Sequence, residues 1–351
     1  MRNYCLIVYV LAGAVSAIGQ TDNDYRVYVS GLHQGDLAVF DGSGKKIQSI
    51  PVQDGAGTIG VAISSDGKSI FVTEDDHLRI VDARTGSNTH TVSYEGALHL
   101  LGQQTRLHLT ADNRLLLIKT YDLGAAAAGV RIFDVGSNQF TGIGMRGRAC
   151  PSPEFESTRD GTLFSICPES IQMLRIQAKV SNDLSGVSTV KLALRDVAGT
   201  SVTPRGDRLF AIETVQPGRP WQLVCWTPGE PEVQTENLSE LLKPSSDSLV
   251  QSSQAWIASS PDGTRFAIHH GTEVWMLDAQ TLKLIRQWDL KRATSGLGFS
   301  SDGHQILTLD DSTLSLFRIP LMGGEPGAEP LNGLKTSMGA KAFLIGAVPK
   351  P

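Results

Sequence analysis

Short β-rich runs, apolar at most positions, recur along the chain, and each follows a turn of the form Ser/Thr-x-Asp-Gly or a close variant. The six turns begin at Ser64, Thr110, Thr158, Thr203, Ser260 and Ser300. The runs after them are KSIFVTE, RLLLIKTY, TLFSIC, DRLFAIE, TRFAIHH and HQILTLD. Asp-Gly favours the positive φ of a tight turn, and the runs are rich in strand-forming residues. The pattern predicts six β-hairpins of one kind.

A third β-rich run comes about ten residues further on in each unit, including a first unit that has no such turn before it. The series is LAVFD, LRIVD, VRIFD, MLRIQ, QLVCW, VWMLD and LSLFR, starting at Leu37, Leu78, Val130, Met173, Gln222, Val274 and Leu314. Several members end in Asp, followed by a turn and a fourth run such as LIRQWDL. Units of four strands and roughly 40 to 50 residues are typical of β-propeller blades. Seven third strands predict an all-β, seven-bladed propeller; a β-sandwich does not explain so many equivalent units.

The two ends of the chain predict how the ring closes. The first unit, starting with RVYVSG at Arg26, has no Asp-Gly hairpin before it, and AKAFLIGAV (residues 340–348) is a strand without a unit of its own. If the C-terminal strand completes the first blade, pairing of the two ends of the chain closes the ring and removes the exposed edges that an open sheet would leave.

Composition and the N-terminus indicate the cellular compartment of the protein and the class of partner that it can bind. With 40% hydrophobic and 19% charged residues the chain is globular, and a net charge of -5 argues against a nucleic-acid partner. MRNYCLIVYVLAGAVSA (residues 1–17) is typical of a secretory signal peptide cleaved near Ala17, although a buried N-terminal strand is an alternative. Residues 18–351 would then form the propeller, and since no later apolar run is long enough, no membrane span is expected.

The cysteines fit an exported protein. Cys5 lies in the predicted signal peptide, so Cys150, Cys167 and Cys225 remain. Cys150 and Cys167 flank the TRDG hairpin at nearly symmetric positions, which predicts a disulfide across the base of the hairpin. A redox-active pair is the alternative. Cys225, in the apolar run QLVCW, is expected to be a buried, inert thiol.

Little in the sequence points to catalysis. His269-His270 is the one histidine doublet, and because neighbouring residues of a strand face opposite sides, we expect a surface or loop pair rather than a metal site. Asp75-Asp76, beside Glu74, could attract a cation but is more typical of a solvated loop tip. No nucleophile elbow, P-loop, dinucleotide fingerprint or haem attachment motif is present. We predict no catalytic, cofactor-binding or metal-binding residue in this chain.

Particular stretches resemble a known family. Residues 271–319 (GTEVWMLDAQTLKLIRQWDLKRATSGLGFSSDGHQILTLDDSTLSLFRI) and 107–142 (LHLTADNRLLLIKTYDLGAAAAGVRIFDVGSNQFTG) look like the heavy subunit of quinone-dependent amine dehydrogenases, with the aralkylamine type closer than methylamine dehydrogenase. The spacing of Cys150 and Cys167 within one blade is the most specific shared feature. The resemblance covers most of residues 25–349 and is weak between residues 178 and 255.

That resemblance implies a periplasmic scaffold. In the family, the heavy subunit is a seven-bladed propeller that binds a small light subunit carrying tryptophan tryptophylquinone and the catalytic residues. The heterotetramer oxidises primary amines to aldehyde and ammonia and passes electrons to a small copper protein. The family's substrate-channel loop in blade one corresponds here to Leu32 and His33, without the family's aromatic residue.

The loops between second and third strands are shorter than in the family at GLHQG, EDDH and HHGT. A stand-alone exported propeller of the YVTN type, acting as a binding or structural module, therefore stays as the competing hypothesis. An independent enzyme such as a propeller lactonase is a third possibility, for which no acid-base cluster is visible.

Overall fold

The computed structural model describes residues 25–31, 36–51, 60–74, 77–93, 107–122, 127–146, 154–175, 186–194, 196–213, 221–242, 255–310, 313–331 and 340–347. Several positions discussed above lie outside these residues, namely the predicted signal peptide, Cys150, Leu32, His33 and Asp75-Asp76.

Seven four-stranded antiparallel sheets form a ring, which confirms the predicted seven-bladed propeller. Blade one consists of β28 (Ala340–Ala347), β1 (Tyr25–Gly31), β2 (Asp36–Asp41) and β3 (Lys46–Pro51). Blade two consists of β4 (Gly60–Ile63), β5 (Ser69–Thr73), β6 (His77–Asp82) and β7 (Asn88–Ser93). Blade three consists of β8 (Leu107–Leu109), β9 (Leu115–Asp122), β10 (Ala127–Asp134) and β11 (Gln139–Arg146).

The remaining blades follow the same order along the chain. Blade four consists of β12 (Glu154–Ser157), β13 (Thr162–Cys167), β14 (Ser170–Arg175) and β15 (Gly186–Lys191). Blade five consists of β16 (Val197–Val202), β17 (Leu209–Glu213), β18 (Gln222–Trp226) and β19 (Gln234–Asn237), followed by the helix α1 (Leu238–Leu242). Blade six consists of β20 (Trp256–Ser259), β21 (Arg265–His270), β22 (Glu273–Asp278) and β23 (Leu284–Asp289). Blade seven consists of β24 (Ser295–Phe299), β25 (Gln305–Asp310), β26 (Ser315–Pro320) and β27 (Gly327–Pro330).

Ring closure follows the prediction. β28 pairs antiparallel with β1, with Val27 opposite Ile345, so both ends of the described chain contribute to blade one. First strands of consecutive blades lie side by side around the axis, as in β16 beside β20 and β20 beside β24.

Each junction between blades contains one hydrophobic cluster of described residues. Successive side chains of a strand leave opposite faces of the sheet, so one strand contributes to two junctions. In β25, Leu307 packs with blade one, whereas Ile306 packs with blade six. Because both faces of a blade are buried, the second strands are continuous apolar runs rather than strictly alternating ones.

One strand start needs correction, and one short helix is additional to the predicted elements. The third strand of blade four begins at Ser170 rather than Met173, because Pro168 and Glu169 alone form the turn before it. Helix α1 was not predicted. It has only five residues, and its leucines Leu238 and Leu242 are buried between blades five and six.

Candidate functional site

The ring has two faces of different character. The turn face carries the connections between first and second strands and between third and fourth strands. The loop face, at the opposite end, carries the connections between second and third strands and those from one blade to the next. Antiparallel pairing fixes this division, because alternate connections of a meander lie at opposite ends of its strands.

One device repeats on the turn face. In blade six, Ser260 Oγ donates a hydrogen bond to Asp262 Oδ1 (2.6 Å) and accepts one from the backbone nitrogen of Arg265 (3.0 Å). The corresponding hydroxyl-to-carboxylate bonds are Ser64 to Asp66, Thr110 to Asp112, Thr158 to Asp160, Thr203 to Asp207 and Ser300 to Asp302. In TPRG, Arg205 occupies the usual Asp position, so Asp207 supplies the carboxylate. These carboxylates hold turns together, which makes the turn face a structural element.

On the same face, several third strands end in an aspartate that accepts hydrogen bonds from the turn that follows. Asp82, Asp134 and Asp278 each accept a hydrogen bond of 2.7 Å from a backbone nitrogen three residues ahead. The hydrogen bonds from Thr85 lower the pKa of Asp82, and those from Thr281 do the same for Asp278.

The loop face has ionisable or sulfur-bearing residues where the second strands end. The position at or directly after the end of the strand is occupied by Glu74, Cys167, Glu213, His270 and Asp310 in blades two, four, five, six and seven. The six β-rich runs that follow the Ser/Thr-x-Asp-Gly turns end, or nearly end, at this position. Aligning those runs would therefore have shown these side chains in the sequence. Its chemistry differs from blade to blade.

Blade two places a buried carboxylate there. Glu74 is 1% exposed, its Oε2 lies 2.6 Å from His77 Nε2, and its Oε1 lies 2.9 Å from Arg79 Nε. Arg79 also donates to the carbonyl of Pro51 in blade one. A buried carboxylate needs such partners, so Glu74 belongs to an ion-paired cluster that joins blades one and two. Glu74 directly precedes Asp75-Asp76, for which the sequence predicted a solvated loop tip. The burial and ion pairing of Glu74 were not predicted.

The histidine doublet is buried, so the predicted surface or loop pair is wrong. His269 and His270 are both 0% exposed in β21. His269 stacks on Trp256, with ring centroids 5.1 Å apart, while His270 lies 5.1 Å from the Trp221 ring. The two rings thus contact different aromatic neighbours, as alternation along a strand requires.

Blade seven places Asp310 at the equivalent position. It is fully buried, accepts hydrogen bonds from the backbone nitrogen (3.1 Å) and the hydroxyl (2.7 Å) of Thr313, and lies 3.5 Å from Arg292 Nη1. Arg292 belongs to the connection from blade six, so this contact joins blades six and seven.

A further acidic group lies between blades four and five near the axis. Burial, with additional repulsion from Glu156 and Asp196, raises the pKa of Glu154 well above its ordinary value. Glu156 accepts a hydrogen bond of 2.8 Å from Thr200 Oγ1 of blade five.

The predicted site residues are described only in part. Cys167 is disulfide-bonded, while its predicted partner Cys150 and the predicted channel residues Leu32 and His33 lie outside the described residues. Cys225 is free and buried, as predicted. Arg208 Nη1 lies 3.0 Å from its sulfur, and burial raises the pKa of the thiol.

Within the ranges given above, no group of three or more His, Cys, Asp or Glu residues is arranged to hold a metal ion. None of the helices in that part of the chain is long and apolar enough to cross a membrane.

Comparison with known proteins identifies the fold. No family model and no curated protein matches the chain. A solved structure of a functionally unknown protein from Desulfotomaculum acetoxidans DSM 771 has a TM-score of 0.67 and 11% identity, covering 92% of this chain and 99% of that chain. A chain in the crystal structure of the mitotic checkpoint complex has a TM-score of 0.58 and 13% identity, covering 81% of this chain and 79% of that chain. At such low identity, these likenesses concern the fold alone, and the chain is a seven-bladed β-propeller.

Proposed function

We propose that this chain is the scaffold subunit of an exported, periplasmic amine dehydrogenase. A separate small light subunit would carry tryptophan tryptophylquinone and the catalytic residues. The assembly would oxidise primary amines to aldehyde and ammonia and pass electrons to a small copper protein.

The observation that carries the proposal is the disulfide-bonded Cys167 at the end of the second strand of blade four. Disulfides persist in oxidising compartments, which supports export. The family resemblance also rests most specifically on a cysteine pair within one blade. The disulfide and the seven-bladed ring are therefore two structural features that the proposal requires.

The loop face is the surface on which we place the light subunit. Two of its described connections are only two residues long, Pro168-Glu169 in blade four and Gly271-Thr272 in blade six. At these two blades, the short connections leave a low surface that a small globular partner can cover. The buried acids Glu74 and Asp310 are engaged by neighbouring side chains, so they would support this surface rather than react with substrate.

The same short connections favour a second candidate, a stand-alone exported propeller that acts as a binding or structural module. In that case the loop face would bind no quinone-bearing chain.

Native purification from the producing cell separates the two. The proposal expects a small exported chain to co-purify in equal amount, with quinone absorbance and amine-dependent dye reduction. Lys291→Glu, at an exposed side chain on the loop face, should weaken this association, whereas Lys68→Glu on the turn face should leave it unchanged. Isolation of the propeller alone, without quinone absorbance or amine oxidation, would favour the stand-alone module.

A further inference from the structure

The junction between blades six and seven contains a buried imidazole at its loop-face end. The His269 ring lies nearly parallel to that of Trp256, with 19° between their planes, and its Nε2 lies 2.9 Å from Thr294 Oγ1 and 3.2 Å from the Gly271 carbonyl oxygen. Thr294 belongs to the connection into blade seven, and its hydroxyl accepts a hydrogen bond of 3.0 Å from Thr308 of β25. The imidazole therefore connects the β21–β22 turn of blade six to the connection into blade seven and, through Thr294, to β25.

This site suits the neutral imidazole only. Nδ1 is buried without a hydrogen-bond partner, so the second proton of an imidazolium would have no acceptor. Burial, with a smaller contribution from the neighbouring His270, lowers the pKa of His269 to about 3, even though hydrogen bonds with the backbone of Gly271 and Gly296 act in the opposite direction.

The ionisable groups on the surrounding elements do not offset that cost. On β22, Glu273 accepts a hydrogen bond of 2.8 Å from Gln287, and at the end of β25, Asp310 is engaged by Thr313 and Arg292. In the connection between the blades, Lys291 is paired with Asp289 at 2.6 Å. The carboxylates around the junction thus have partners of their own, and the nearby connection adds positive charge.

We propose that His269 is an acid-sensitive latch, which holds the loop-face ends of blades six and seven together when neutral and releases them when protonated. Opening exposes the ring to water, where the imidazolium is solvated. Proton uptake is therefore coupled to opening of this junction while the other junctions remain closed.

The sign and size of the coupling follow from linkage. Because the pKa is lower in the closed junction than the ordinary value of 6.5, the latch stabilises fully above pH 6.5 and weakens as the pH falls toward 3. Within that window the opening equilibrium constant should rise about tenfold for each unit decrease in pH.

Hydrogen exchange followed by mass spectrometry at pH 7, 5.5 and 4.5, corrected for intrinsic exchange rates, tests the latch. Below pH 6.5, amides of β20 to β25 should lose protection about tenfold per pH unit in the wild type, while blades two and three keep theirs. His269→Gln, which is neutral at every pH, should abolish the pH slope. His304→Gln, at an exposed histidine of blade seven, should retain the wild-type slope.

Two results would overturn the latch. One is an equal pH slope in the wild type and in His269→Gln. The other is a uniform slope over all blades, which would indicate global unfolding rather than release of one junction. If His269→Gln does not fold, Thr294→Val provides a second measurement. It removes the hydroxyl partner and should raise opening at every pH with an unchanged slope, and loss of the slope in that variant would contradict the proposal.

Discussion

The turn face and the loop face of this ring are stabilised in different ways. On the turn face, six hairpins use one hydroxyl-to-carboxylate device, and all of its members lie in local sequence. On the loop face, the groups are not repeats of one device, as the ion-paired Glu74 and the stacked His269 show. Their surroundings extend into a neighbouring blade, because Arg79 beside Glu74 donates to Pro51 of blade one and His269 contacts Thr294 in the connection to blade seven. Each repeated turn should therefore contribute a small part of the free energy of unfolding, whereas each buried group on the loop face should contribute a larger part.

The largest effect is expected at Glu74 on the loop face. Glu74→Ala would leave Arg79 and His77 without their carboxylate in a buried site and should lower the free energy of unfolding by about 3 to 5 kcal/mol. Denaturant titration measures this loss. Glu325→Ala, at an exposed glutamate of blade seven, is the control and should match the wild type. A loss at Glu74 as small as that of the control would remove the contrast between the faces.

A single turn-face hydroxyl should matter less. Ser260→Ala removes the donor to Asp262 and leaves the partly buried backbone nitrogen of Arg265 without its acceptor, which should cost about 1 to 2 kcal/mol. The matched control is Ser43→Ala, whose hydroxyl also donates to an aspartate but in an exposed turn. Equal unfolding midpoints for the two variants would show that burial of the device is irrelevant.

The loss of stability from backbone strain in the same turn should be no larger than the loss from Ser260→Ala. Gly263 has a φ of +74°, and a Cβ there would lie 3.3 Å from Pro204 Cδ of blade five, so Gly263→Ala should cost about 1 to 2 kcal/mol. Gly327→Ala meets nothing within 4 Å and has no such φ, so its melting temperature should not fall. A fall in Tm for both variants, or for neither, contradicts this reasoning.

The smallest effect concerns pH. The hydrogen bond from the Thr158 hydroxyl lowers the pKa of the exposed Asp160 below its ordinary 3.8. Its stabilisation is therefore present above pH 3.8 and is lost as the pH falls below it, whereas that of His269 is lost between 6.5 and about 3. Asp160→Asn should flatten the stability profile only at the acidic end. Flattening near neutrality would show that the two faces do not titrate in separate windows.

The same contrast explains what the sequence could predict. The number of blades, the six hairpins and closure by the C-terminal strand followed from local turn chemistry and strand periodicity, and the structure confirms them. Burial of His269 and His270 did not follow, because it depends on Trp256 of β20 and on Trp221, which directly precedes β18. Glu74 was likewise hidden, since Arg79 and the strand end in blade one complete its surroundings. Helix α1 is too short for helical periodicity to be recognised.

Pairing of β28 with β1 has a consequence for how the molecule assembles. The pairing of Val27 with Ile345 joins residues near the two ends of the described chain. The entropy cost of closing this loop is therefore the largest of any strand pairing in the ring. Until that step, β1 has an unpaired edge that can accept a strand from another molecule. Refolding at high concentration should thus favour exchange of residues 340–347 between copies, giving swapped dimers whose monomer form returns when the chain is refolded dilute.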